Sequence, residues 1–283
     1  MSSDGPSGDG DGTAPTRPLV IELAGTPGAG KTTLAAEIVG QLDRAGVRAA
    51  TIVGAARQHA ARTSIGRAVA HLAPRRLRDP LLWQVFYACG AMNAVGFAFG
   101  RPTLSGRVLR DQLSRPISSS MKRHTLFWFF QLAGRHRFLM STMRDGEALV
   151  VDDGFLHRSV ALNASSNERP DGALIEAYVD LLPRPDLVIR PIADRDVCLR
   201  RIRDRGVWQH SRHLTDTDLE SYVANAERVI DVAVERAKAN GWNVVEIDNA
   251  GRDLREVRSE TVEAVRPLLG IGGERRTLAM GPR

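Results

Sequence analysis

The sequence predicts an α/β fold with a doubly wound parallel sheet, and three observations carry that expectation. A complete GxxxxGKT loop occupies residues 25–33. It sits between an apolar, β-branched run at 19–24 and a segment in which Leu34, Ile38 and Leu42 recur every four positions. Apolar runs then keep alternating with amphipathic segments as far as residue 265.

Taken in order, the run at 19–24 reads as a first strand, short and apolar throughout as a strand buried on both faces should be. The helix after the loop stops at Ala45 and Gly46. Residues 48–53 read as a second strand, and 148–151 as a third that ends in Asp152, Asp153 and Gly154. The region between them, about 55–147, is helical and forms an insertion where loops at the strand tops hold ligands. Residues 185–190 make a fourth strand and 243–248 a fifth. One helix starts near Asp194, another runs from about Thr215 to Asn240 before Gly241, and a last one carries Leu254, Val257, Val262 and Val265.

The loop's residue types explain its chemistry. Gly25, Gly28 and Gly30, spaced by Thr26, Pro27 and Ala29, let the backbone curl so that consecutive N–H groups and a helix N-terminus converge on an anion. Lys31 then reaches terminal phosphates, Thr32 supplies a hydroxyl to magnesium, and Thr33 continues the helix. Binding of ATP or GTP with Mg²⁺ is the reading, within a three-layer P-loop NTPase fold. No Asn-Lys-x-Asp motif argues for a GTPase switch.

Composition narrows the remaining choices. Two cysteines, Cys89 and Cys198, give neither a CxxC pair nor a disulfide framework, so a reducing, cytoplasmic setting is expected. The net charge is +6, with basic clusters at 75–78 and 195–212 but no aromatic-interleaved pattern for reading nucleic acid. Residues 1–16 read as a disordered leader and 270–283 as a frayed tail, leaving one domain over 17–269. Residues 81–100 carry no charge, yet Gln84, Asn93 and three glycines dilute them. They read as a buried helix pair rather than a membrane span, with a greasy cleft or membrane-surface contact as the alternative. These apolar helices also offer a face for homodimerisation.

A second constellation follows the third strand. Asp152 at its end matches the Walker B pattern, in which a carboxylate holds magnesium beside the phosphate loop. Asp153 is placed to accept the proton of an attacking hydroxyl, although adjacent carboxylates also serve as surface turns or helix caps. Arg200, Arg201, Arg203, Arg205 and Arg212 supply the positive charge that phosphoryl transfer requires, or a solvated basic face. His157 and Arg158 begin the element leaving the strand top and can face an acceptor. His210 and His213 lack a third metal ligand. Trp83, Phe86, Tyr87, Phe97, Phe99 and the aromatic run 127–130 read as core of the inserted helices rather than a stacking platform.

On these motifs the chain resembles the thymidylate kinase and nucleoside kinase branch of P-loop kinases over about residues 18–268. The stretch 199–206 is similar to the start of that family's lid, here about 199–214, with Arg201 and Arg205 on its paired arginines. Residues 185–189 and 247–251 are also family-like, the latter near the nucleotide base. The resemblance implies strand order 2-3-1-4-5. It departs where thymidylate kinases carry Asp-Arg-Tyr, because this chain has Asp152, Asp153, Gly154 and Phe155. The arginine that grips an acceptor phosphate is missing there, and Arg135 or Arg137 is the substitute. The expected activity is transfer of the γ-phosphoryl to a small-molecule hydroxyl or phosphate. A sugar, antibiotic or apolar alcohol as acceptor, or an ATPase switch, is the alternative.

Overall fold

The computed structural model describes residues 17–206, 215–250 and 254–265. The expected leader, the tail, most of the lid after Gly206, and Arg212, His210, His213 and Gly251 lie outside them. Five parallel strands, β1 (Leu19–Leu23), β2 (Ala49–Thr51), β3 (Ala148–Val151), β4 (Leu187–Ile192) and β5 (Val244–Asp248), form one sheet in the order β2-β3-β1-β4-β5. That is the order the family resemblance implies.

Alternation along β1 builds both faces. Leu19, Ile21 and Leu23 pack with Leu34, Ile38 and Leu42 of α1 (Lys31–Arg44) and with Val257 and Val265 of α11 (Leu254–Val265). Val20 and Ala24 point the other way and join Leu149, Val151 and Val188 in a larger core. Its helices include α7 (Phe155–Asn163), α8 (Gly172–Val179) and α10 (Asp216–Ala239). Truncating a fully buried leucine such as Leu149 to alanine costs about 2–5 kcal/mol in such a site. The helix α9 (Arg195–Arg205) follows β4, and α10 opens on a reciprocal cap between Thr215 and Asp218.

The insertion comprises α2 (Ile52–Arg62), α3 (Ser64–Leu72), α4 (Arg75–Gly100), α5 (Pro102–Ser114) and α6 (Ser119–Thr142). Two expectations change here. The second strand is three residues long rather than six, because the Thr51 hydroxyl accepts from the Gly54 N–H at 3.0 Å and starts a helix at Ile52. That local cap overrides the β-propensity of Ile52 and Val53. Residues 81–100 are not a helix pair but the greater part of the single helix α4, and their burial is one-sided.

Leu82, Phe86, Gly90 and Phe97 of α4 turn inward, whereas Met92, Val95 and Phe99 are exposed. The partner is α6, running antiparallel, with Phe86 against Phe138 and Gly90 against Gly134. A Cβ on Gly134 would lie 1.9 Å from the Gly90 carbonyl oxygen, so only glycine fits this crossing. The insertion is tied to the sheet by Arg62, whose guanidinium donates to both Glu147 carboxylate oxygens at 3.0 and 3.2 Å and to the Thr142 carbonyl at 2.9 Å. This pairing holds the Glu147 carboxyl down at about 2.

Candidate active site

The phosphate loop leaves β1 and enters α1 as its glycine pattern requires. Gly28 and Gly30 have φ of 88° and 93°, values that strain any side-chain-bearing residue. A Cβ on Gly28 would lie 2.5 Å from the Cys198 carbonyl of α9, and one on Gly30 would lie 2.4 Å from Asn249 Nδ2. Asn249, just after β5, donates to the Ala29 carbonyl at 2.7 Å. Arg201 bridges the same region, donating to the Gly28 and Asn249 carbonyls at 3.3 Å each. The loop is therefore clamped by two side chains, which keeps its curl in place.

Lys31 folds back over this curl, donating to the Gly25 carbonyl at 2.9 Å and the Thr26 carbonyl at 3.2 Å. Burial pushes its pKa down to about 8, against the pull of Asp153 and Asp152. Thr32 Oγ1 donates to Asp152 Oδ2 at 3.0 Å. A hydroxyl and a carboxylate side by side are hard oxygen donors, and they fit Mg²⁺, which takes one or two protein oxygens and completes its shell with phosphates and water.

Asp153 has a different partner. Arg158 Nη2 donates to Asp153 Oδ2 at 2.5 Å, and His157 Nε2 lies 4.0 Å from Oδ1. Burial raises the Asp153 pKa, with Arg158 and Lys31 opposing. Burial also drives His157 well below the usual imidazole range, helped by repulsion from Lys31 and Arg158. His157 Nδ1 and Arg158 Nε are buried without a hydrogen-bond partner.

These groups line one cavity of about 650 Å³. The phosphate loop from Pro27 to Thr33, with Arg201 and Arg205, forms one wall; Ala29 is the loop residue that stays behind it. Asp152 and Asp153 after β3, His157, Arg158, Val160 and Ala161 of α7, His124 and Trp128 of α6 and Tyr222 of α10 complete the lining. No protein-family model and no curated protein matches this sequence. Among solved structures the chain is similar to the deoxyadenosine kinase from M. mycoides with bound dCTP. The two are 13% identical, with a TM-score of 0.42, over 88% of this chain and all of that one.

Several anticipated residues sit elsewhere. Arg135 and Arg137 do not line the cavity. Arg135 has its guanidinium 4.8 Å from the Tyr87 ring centre and 6.0 Å from that of Trp128. Arg137 donates to the Gly96 carbonyl at 2.6 Å. Their acceptor-gripping role followed from the resemblance alone, and the packing of α6 on α4 turns both side chains aside. Of the arginine cluster, Arg203 pairs with Glu220 at 3.2 Å, and Arg201 and Arg205 reach the cavity.

The aromatic residues divide. Phe86, Phe97 and Phe129 are core, as expected, but Trp128 faces the cavity and Phe99 faces solvent.

Three contributors went unrecognised in the sequence. His124 and Tyr222 come from helices with no motif to mark them. Glu22 did carry a mark, a lone charge inside an apolar strand. Its carboxyl accepts from the Leu156 N–H, and from the His157 N–H at 3.3 Å, at the start of α7. Burial lifts its pKa to about 8. Gly154 must be glycine because a Cβ would come within 2.3 Å of the Glu22 carboxyl carbon. Glu22 thus fixes the turn that presents Asp153 and Arg158.

Proposed function

We propose that the protein is an ATP-dependent small-molecule kinase that transfers the γ-phosphoryl to a hydroxyl of a nucleoside-like acceptor. The observation that carries this reading is a cavity lined by the phosphate loop, by the Thr32–Asp152 pair and by a second carboxylate, Asp153, which bonds to Arg158 instead. Asp152 and Thr32 would hold Mg²⁺, which when bound neutralises phosphate charge and orients the triphosphate. Asp153 takes the proton of the acceptor hydroxyl. The acceptor oxygen bonds to the γ-phosphorus as the bond to the β–γ bridging oxygen breaks, and ADP leaves with the electron pair. Asp153 then gives its proton to solvent.

Lys31, Arg201 and Arg205 stabilise the charge that gathers on the moving group and on ADP. A hydroxyl suits the acceptor side better than a phosphate does. Arg158, the cation beside Asp153, is already paired with it, and burial disfavours the charged form of His157. Trp128 offers a flat apolar wall to a planar acceptor.

The test is calorimetry with Mg·ATP and Mg·GTP, followed by a coupled assay of ADP release against a panel of nucleosides, nucleoside monophosphates, sugars and prenyl alcohols. Acceptor-stimulated ADP release with a phosphorylated product supports the reading. Hydrolysis that no acceptor accelerates would mark a conformational ATPase and overturn it. Stimulation by monophosphates alone would overturn the hydroxyl assignment.

A further inference from the structure

The inserted helices hold a charge that the remainder of the chain does not share. Residues 52–143 contain fourteen arginines and lysines against two carboxylates, Asp79 and Asp111, whereas the whole chain has 39 against 33. Outside the insertion, acidic residues are therefore in excess. Both carboxylates are engaged, Asp79 by Arg57 at 2.5 Å and Asp111 by Arg107. Arg67, Arg75, Arg76 and Arg101 are exposed and make no ion pair among the described residues.

These arginines border an apolar stripe. Leu77, Leu81, Ala88, Met92, Val95 and Phe99 recur at helical spacing along the outward face of α4, all exposed, and no charged residue interrupts 80–100. Met92 is 75% exposed and Phe99 82%. Only 22% of the helix's most apolar stretch is buried. At 1.5 Å per residue the 26-residue helix runs roughly 39 Å. By length and composition it could cross a membrane, but its inner face is fastened to α6 through Phe86 and Gly90, so it can only lie along a surface.

We propose that the outward face of α3 and α4 docks on an anionic lipid surface. The stripe would enter the headgroup boundary while Arg67, Arg75, Arg76 and Arg101 meet lipid phosphates, the arrangement expected of an interfacial amphipathic helix. A second copy fits less well. Among the described residues the border of the patch carries four arginines without an ion pair, and its one carboxylate, Asp79, is taken by Arg57, so self-pairing sets arginine near arginine. Nucleic acid also fits less well, since its phosphates have no use for an uncharged apolar centre. The inference is independent of the kinase reading.

The test is co-sedimentation of the full chain with vesicles of phosphatidylcholine, alone or mixed with phosphatidylglycerol. Binding to the mixed vesicles, weakened by salt and absent from the neutral ones, is expected. R75A/R76A should weaken the partition about thirtyfold, as the loss of two cationic contacts implies. M92E/F99E should abolish it while the circular dichroism spectrum stays that of the parent; if that variant does not fold, R75A/R76A decides.

Failure to bind the mixed vesicles overturns the proposal, as does binding that neither variant alters. A dimer seen by light scattering and split by M92E/F99E would make the face a self-interface and overturn it. Affinity for duplex DNA that survives M92E/F99E, with no vesicle binding, would also overturn it.

Discussion

The two sides of the cavity are built by different means. The proposed donor side comes from one contiguous stretch, residues 25–33, and its working parts are main-chain groups whose positions follow from Gly28 and Gly30 at positive φ. The proposed acceptor side gathers His124 and Trp128 from α6, His157 and Arg158 from α7 and Tyr222 from α10, and its working parts are side chains. A backbone cradle depends on local sequence and reappears wherever that sequence does. A side-chain wall depends on how three helices pack, so its specificity can change without disturbing the cradle. Variants on the two sides should accordingly separate nucleotide binding and turnover from acceptor recognition.

The largest effect is expected on the donor side. Lys31→Ala should lower turnover by about 10²–10³-fold, the range for losing one charge-stabilising donor, while leaving the cooperative thermal transition in place. Unchanged turnover would remove the loop from the chemistry. The same residue gives a pH test. Because burial brings the Lys31 pKa down to about 8, kcat/KM for the nucleotide should fall above about pH 8 as the free enzyme loses this charge. The fall in kcat should come at higher pH, since bound phosphates stabilise the ammonium. Coincident profiles would mean that Lys31 does not meet phosphate.

The next effect falls on the insertion and on stability rather than rate. Arg62→Ala strands the buried Glu147 carboxylate at the entrance to β3 and should cost about 2–3 kcal/mol at pH 7, measured by urea denaturation. The pH dependence has a definite sign. The folded-state pKa of Glu147 is lowered from 4.5 to about 2, so its contribution is fully present above pH 4.5 and is lost as pH falls through about 2. The gap between parent and variant should close over that window. A constant gap from pH 7 to pH 2 would assign the loss to packing of the Arg62 stem instead. Nucleotide affinity should stay unchanged in either case.

The same division governs what the sequence made legible. The strands around the phosphate loop, the loop itself and Asp152 at the end of β3 are each declared within a few residues of local pattern. Strand order came only through the resemblance, because parallel strands leave no mark of who neighbours whom. The short β2 was misread since the Thr51 cap, a side-chain hydrogen bond, outweighs the β-propensity of the two residues after it. Trp128 could not be told from its core neighbour Phe129, as adjacent helical residues differ by about 100° in direction and only packing decides which one is buried. Arg135 and Arg137 were misplaced for the same reason. Asn249 and Glu22 act across the sheet on partners 220 and 134 residues away, and no local pattern reports such contacts.

The smallest expected effect is also the one that most sharpens the contrast between the two sides. Trp128 lines the cavity with the phosphate loop, and the Arg135 guanidinium lies 6.0 Å from its ring centre. Trp128→Ala should raise the acceptor KM about tenfold, roughly 1.4 kcal/mol of lost apolar contact, with kcat and the affinity for Mg·ATP nearly unaltered. If calorimetry instead shows the nucleotide weakened and the acceptor KM untouched, Trp128 stacks on the donor's base. The side-chain wall would then belong to the donor, and the acceptor would have to enter along Val160 and Tyr222.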